Sequence, residues 1–361
     1  MGKMYPLAAL SFILVMTAAA APIQRLTPAQ HARAGWEAID AGRFAEAAAA
    51  FAEALKATPQ DSSVTLGAGV AAHRLGHSDT ARRYLLDTVR LSPSLIVASV
   101  FLGDVLYGAG DINGAIQTYQ QALVHAPDQE LLKTRLEAWR KEAALHERFG
   151  QKLGDHFTVL FEGPAEAALA QKAVDVLEAA YWRIGAALYT YPTETITVVL
   201  YTREQFRDIT QSPDWAGGAY DGKIRLPVQG AMKNIREFER VLNHEFTHAL
   251  VSGMAPRHVP QWLNEGLAMY FEGSDTAKPI ALAADAESEP SLAKLEGRFS
   301  GMDKDAATGA YARSATAVKI LMDEAGAPAI VGILAELARG VAFVEAFERN
   351  TNMSYAEFQK R

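Results

Sequence analysis

The sequence predicts a multidomain chain of two structural classes, an all-α helical array followed by an α+β domain. Three observations lead there. The chain has 361 residues, whereas single cores rarely grow far beyond about 200 residues before a chain divides. A period of 34 organises its first half, and near residue 150 the apolar spacing changes from helical to alternating.

Composition narrows the chemistry. Hydrophobic residues make up 49% of the chain and charged ones 21%, with a formal net charge of −7. A wholly disordered chain is excluded, and there is no basic surplus of the kind that marks a nucleic-acid partner. Cysteine is absent, which removes thiolate catalysis, disulfides, iron–sulfur ligation and cysteine-based zinc sites. Any metal must be held by His, Asp or Glu.

Residues 1–21 read as a signal peptide. Lys3 is the only charge before Arg25, Leu7 to Met16 form an apolar core, and Ala18 to Ala21 offer an Ala-x-Ala-type cleavage site. The core is about ten residues, short of the roughly 18–20 that span a bilayer. A periplasmic or secreted protein with no stable membrane insertion after cleavage is expected, with a retained anchor as the competing reading.

At a shift of 34 the chain aligns Gly35, Gly69 and Gly103; Gly42, Gly76 and Gly110; Ala47, Ala81 and Ala115; and Pro59, Pro93 and Pro127. A further column holds the bulky Phe51, Leu85 and Tyr119. Each unit reads as a helix, a turn at the second glycine, a second helix and a proline stop. Small residues let the paired helices approach, and the bulky ones fill the groove between them. The pattern resembles the tetratricopeptide repeat. Three such repeats plus a more polar capping helix, 129–149, account for residues 28–149. Stacked hairpins of this kind imply a surface for a protein or peptide partner; a plain spacer is the alternative.

Beyond Gly150 and Gly154, residues 156–162 and 195–201 alternate as strands, with a helix expected over about 165–188 between them. A third strand, 223–228, follows the Asp221-Gly222 turn signal, and its Pro227 suggests a sheet edge. From about Glu237 the chain reads as helical, which makes the second body, 155–361, α+β.

One constellation there carries chemistry. His244-Glu245-Phe246-Thr247-His248 lies in a helical stretch. Four residues is about one turn, so both imidazoles project from one face and can reach a single ion, with Glu245 beside them. Downstream, Trp262-Leu263-Asn264-Glu265-Gly266-Leu267-Ala268 supplies an acid. Two His and one Glu leave a fourth tetrahedral position open, as in hydrolytic zinc sites. These motifs resemble the gluzincin metallopeptidases and the broader peptidase MA-like domains. The resemblance implies a zincin-like fold, Zn2+ held by His244, His248 and Glu265, and Glu245 as general base. The stretch from Gly309 to Val318 resembles the one in which a related tyrosine steadies the oxyanion, which implies that role for Tyr311; packing at a helix start is the other reading.

Two look-alikes carry less. His73 and His77 are also four apart, but Gly76 stands between them at a turn column and no acid adjoins them. Gly230-Ala231-Met232-Lys233-Asn234 has a lysine where the aminopeptidases of the family carry a glutamate. Together with the short His248 to Glu265 spacing, this argues against an aminopeptidase and toward an endopeptidase whose edge strand pairs with an extended substrate. The expectation is a zinc-dependent peptidase of the cell envelope with repeats that recruit protein substrates or partners. The alternative is a weakly active or non-hydrolytic zinc-binding scaffold acting through its repeats. Residues 274–307 read as a long loop rich in Ala, Asp, Glu and Ser, either ordered over the cleft or a surface excursion.

Overall fold

The repeat columns become a helical array because each occupies one mechanical role. The computed structural model describes residues 26–212, 217–228, 234–256, 259–273, 291–297, 299 and 302–360. The signal segment, residues 230–233 and most of the 274–307 excursion lie outside the described residues.

Helices α1 (Pro28–Asp40), α2 (Phe44–Ala57), α3 (Ser62–Arg74), α4 (Ser78–Leu91), α5 (Ile96–Gly108) and α6 (Ile112–His125) pair as three hairpins. Phe51, Leu85 and Tyr119 are fully buried. A methyl placed on Gly35, Gly69 or Gly103 would lie 2.7, 2.9 or 2.2 Å from the bulky residue of the same repeat. The glycine and the large side chain are therefore one fitted pair, repeated three times. Gly42, Gly76 and Gly110 turn the chain at φ 72°, 76° and 86°, a left-handed conformation that other residues adopt at a cost. The capping helix α7 (Glu130–His146) closes the array, burying Leu132, Leu136 and Trp139.

The second body begins sooner than the glycines suggested. Strand β1 (Phe149–Leu153) occupies the stretch read as the break after the capping helix, followed by β2 (Phe157–Glu162), α8 (Ala167–Ala187), β3 (Ile196–Tyr201), α9 (Arg203–Thr210), β4 (Ala219–Tyr220) and β5 (Ile224–Pro227). The sheet order is β1-β2-β3-β5-β4, parallel at β2–β3 and β3–β5 and antiparallel at both ends. This corrects the placement of 223–228 at the edge. β5 is flanked by β3 and β4, and the two-residue β4 is the edge. Pro227 is accommodated because it stands last in its strand, opposite Tyr201. β3 is buried on both faces, Val198 and Leu200 in the main core with α8 and Val199 and Tyr201 against Phe206 of α9, as expected of a central parallel strand.

The remaining helices are α10 (Ile235–Met254), α11 (Gln261–Phe271), α12 (Lys304–Glu324), α13 (Gly326–Ala338), α14 (Phe343–Thr351) and α15 (Tyr355–Phe358). They share one core with the sheet, centred on the wholly buried Trp262, whose Nε1–H donates to the Tyr355 hydroxyl at 3.1 Å. Among the described residues no helix is long and apolar enough to cross a membrane.

The two bodies meet along the edge of the array formed by the repeat turns. A methyl on Gly340 would lie 2.8 Å from the Gly42 carbonyl oxygen, one on Gly76 3.5 Å from Pro256, and one on Gly110 3.8 Å from the Thr197 hydroxyl. At the capping end the contact is ionic. Glu142 of α7 accepts from Arg225 Nη1 at 2.9 Å and pairs with Lys223 Nζ at 3.3 Å, and all three side chains are at most 4% exposed. Removing one partner of such a pair strands a buried charge, at a cost of about 3–5 kcal/mol.

His146 adjoins this cluster, 2.8 Å from the Tyr201 hydroxyl. Burial lowers its pKa to about 4, with Glu142 opposing that shift and Lys223 and Arg225 reinforcing it. The unfolded chain, with His146 at its ordinary 6.5, binds the proton more readily than the folded one. The stability this group contributes is therefore complete above pH 6.5 and shrinks as pH falls toward 4, by on the order of 2 kcal/mol after allowance for solvent screening. Denaturant titrations near neutral pH and near the lower limit are expected to show this loss, and His146→Phe is expected to flatten it.

Candidate metal centre

Helix α10 is positioned by its apolar face. Phe238, Val241, Leu242, Phe246, Leu250 and Val251 are buried in the core, and Phe246 meets Phe157 of β2 edge-on at 5.4 Å between ring centres. Asn234 caps its start, accepting from the Glu237 N–H at 3.3 Å. This packing turns His244, Glu245 and His248 toward α11, which buries Trp262, Leu263, Leu267 and Phe271 and brings Glu265 across to them. Asn243 Nδ2 donates to the Glu272 carbonyl at 3.1 Å and fastens the far end of α11 to α10.

The structure brings the three expected ligands together. His244 Nε2 and His248 Nε2 lie 3.2 Å apart, and Glu265 Oε2 lies 3.4 Å from each. Among the described residues these form the one group of three or more His, Asp or Glu side chains arranged to hold a metal ion. Glu265 Oε1 accepts from Gln261 Nε2 at 2.7 Å, while Oε2 is buried with no hydrogen-bond partner. A buried carboxylate oxygen without a donor is costly. It stands equally far from the two imidazole nitrogens, and the space among the three atoms is the place a cation would fill, so the donor set fits Zn2+.

Both imidazoles are oriented from behind. His244 Nδ1 faces Glu272 Oε2 at 3.1 Å, and His248 Nδ1 faces Asn264 Oδ1 at 3.0 Å. These contacts leave each Nε2 directed at Glu265, and such partners fix a ligand's tautomer and ring angle. Arg240 Nη1 in turn donates to Glu272 Oε2 at 2.5 Å. The sequence reading missed Glu272, Asn264 and Arg240. A signal existed for two of them: Glu272 stands two turns beyond Glu265 on the same helix, and Asn264 is next to it.

Charge is finely balanced here. Burial raises the Glu265 carboxyl, but the His244 and His248 imidazoles outweigh that and hold it below the usual carboxylate range. Burial works against a charge on His244, but the Glu265 and Glu272 carboxylates beside it raise its pKa to about 10. Glu245 is raised by burial, with His248 and His244 pulling the other way.

A cavity of about 290 Å³ opens on this centre, lined by His244, Glu245, Gly218 and Tyr311 among others. Tyr311 reaches it because α12 packs against α11 at backbone distance: a methyl on Gly266 would lie 2.4 Å from the Ser314 carbonyl. Tyr311 is two turns inside α12, not at its start. Its hydroxyl is raised by burial and then by the charges of Glu265 and Glu245. A methyl on Gly218 would lie 2.7 Å from Glu245 Oε1, so the segment leading into the edge strand passes the acid with no side chain between them. His73 and His77 stand elsewhere. His73 lies edge-on to Phe101 and His77 heads α4. Of the Gly230 to Asn234 stretch, only Asn234 is described.

Comparison with known proteins agrees with both halves. Residues 33–96 match the tetratricopeptide repeat and residues 179–358 match the peptidase MA superfamily. The chain is a tetratricopeptide-repeat protein with a peptidase MA superfamily domain. A stretch of the chain is similar to part of cellulose synthase operon protein C of Komagataeibacter xylinus, 41% identical over 59 residues, which is 16% of this chain and 4% of that relative. Among solved structures, the first tetratricopeptide-repeat domain of Spaghetti bound to an HSP90 peptide is 18% identical, with a TM-score of 0.31, over 32% of this chain and 95% of that one. An O-GlcNAc transferase mutant of Thermobaculum terrenum is 15% identical, with a TM-score of 0.30, over 48% of this chain and 36% of that one.

Within the peptidase MA domain, the contacts behind the imidazoles make a direct prediction. Glu272→Ala and Asn264→Ala are each expected to weaken zinc binding by about 10–100-fold with little change in helix content, as read by chelator competition and circular dichroism.

Proposed function

We propose that this protein is a zinc-dependent peptidase, an endopeptidase in preference to an aminopeptidase, whose repeats recruit protein substrates or partners. The observation that carries the reading is the unpartnered Glu265 Oε2 at 3.4 Å from both His244 Nε2 and His248 Nε2. A structural zinc would need a fourth protein ligand; here the described residues offer three and a cavity.

His244, His248 and Glu265 would hold Zn2+, which supplies a Lewis acid and an activated water at neutral pH. Glu245, beside the ligands and facing the cavity, would accept the water's proton at its carboxylate and deliver it to the departing amine. Tyr311 would donate its hydroxyl hydrogen to the oxyanion that develops on the attacked carbonyl. The edge strand β4 supports an extended substrate. Among the described residues no further strand pairs with its outer side, and Gly217 and Gly218 lead into it past Glu245, so a peptide main chain can be laid beside the acid. An internal substrate segment fits such an edge.

The repeats support partner binding through the faces left over from their turn edge, which the second body covers. Residues 1–21 support export, with a periplasmic or secreted mature chain; N-terminal sequencing of the protein from the envelope fraction is expected to begin close to Pro22.

Glu245→Gln is expected to retain zinc and fold while cleavage falls about 10²–10⁴-fold, measured on an internally quenched peptide library. Tyr311→Phe is expected to lower turnover about 10²-fold with zinc content unchanged. Undiminished cleavage by the Glu245 variant overturns the role of that residue. If the same variant fully restores a deletion strain, the scaffold reading replaces the peptidase.

A further inference from the structure

The repeat array is bonded to the strand pair that follows Gly217 and Gly218, which line the cleft. Arg225 of β5 is wholly buried, and its guanidinium is divided among both bodies. Nε donates to Asp221 at 2.9 and 3.0 Å, Nη1 to Glu142 at 2.9 Å and to the Tyr201 hydroxyl at 2.8 Å, and Nη2 to the Tyr107 hydroxyl of α5 at 2.7 Å. Tyr107 itself donates to Glu142 Oε2 at 2.6 Å, and Lys223 Nζ lies 4.4 Å from the centre of the Tyr107 ring. The backbone repeats the contact: Gly222 turns β4 into β5 at φ 99°, and a methyl there would lie 3.3 Å from Gly108 Cα and O at the end of α5.

The hairpin needs such a brace. β4 pairs with β5 at only two positions, Ala219 with Arg225 and Tyr220 with Ile224, so it is the weakly held strand of the two, β5 being paired with β3 as well. Apolar packing would serve stability as well as a buried ion pair does, or better. What the guanidinium adds is geometry, since its five donors lie in a fixed planar fork. The bonded hairpin is also the one that ends at Gly218 against Glu245 Oε1.

We propose that Tyr107 and Glu142 are positioning residues for the cleft: acting through Arg225, they fix the β4–β5 hairpin beside α10, so the repeat array sets the cleft's affinity for an extended peptide. The array is then part of the substrate-binding frame, and a partner that shifts α5 against α7 changes substrate affinity without touching the metal centre. The proposal rests on the reading of β4 as the substrate edge.

The test uses the full zinc-loaded chain with Tyr107→Phe and Glu142→Gln. Tyr107→Phe removes one hydroxyl and keeps the ring stacked on Trp139, 5.0 Å between centres, so it remains informative if Glu142→Gln fails to fold. Expected are amide exchange about tenfold faster in 219–227 with α10 unchanged, and KM for internally quenched peptides raised about tenfold at constant kcat and zinc content. Unchanged exchange in 219–227, or acceleration spread equally over α10 and α11, overturns the proposal. A wild-type chain that cleaves no peptide removes the peptidase reading alone, because the exchange pattern decides the brace independently.

Discussion

A carboxylate oxygen held between two imidazoles with no hydrogen to accept is the constraint around which the C-terminal body is arranged. Glu265 Oε2 reaches that place only because α11 crosses α10 with its apolar residues fully inserted, and because Asn243 secures the end of the crossing. Gly266, next along, admits the α12 backbone and with it Tyr311. Glu272 and Asn264 hold the rings so that the nitrogens facing Glu265 are the ones left unused. The packing of three helices and the orientation of two side chains thus converge on one point beside the cavity.

The array belongs to the same construction. Its turn glycines face the second body, and its capping helix contributes Glu142 to a cluster in which Arg225 is fully buried. A repeat arm joined to a catalytic head by a linker would show neither contact. Here α7 passes into β1 with two residues between them, and β1 lies in the sheet. The array meets the sheet directly through side chains, Glu142 and Tyr107 bonding to Arg225.

The parts legible in the sequence were those whose cause is local or periodic. The 34-residue columns mark glycines and bulky residues that touch within each hairpin, so the fit of Gly103 to Tyr119 is written at a spacing of 16. The His-Glu-x-x-His spacing is one helical turn, and the geometry follows from it. Other features have no local signature. Alternation identified 223–228 as a strand but could not name its neighbours, and the real edge, Ala219–Tyr220, is too short to show a period. Glu142 and Arg225 are 83 residues apart, and neither is unusual where it stands. Their pairing exists only once the array has docked. Gly218 looked like one loop glycine among others until Glu245 was placed beside it.

The central claim is that His244, His248 and Glu265 hold a single catalytic zinc. The most direct measurement is zinc X-ray absorption on the full chain loaded with one equivalent of metal, alongside Glu265→Ala. The account predicts one zinc per chain with two imidazole nitrogens at about 2.0–2.1 Å and oxygen ligands at about 2.0–2.2 Å, and a carboxylate contribution that vanishes in the variant together with tight binding. A wild-type spectrum without imidazole scattering, or tight binding unchanged in Glu265→Ala, would contradict it.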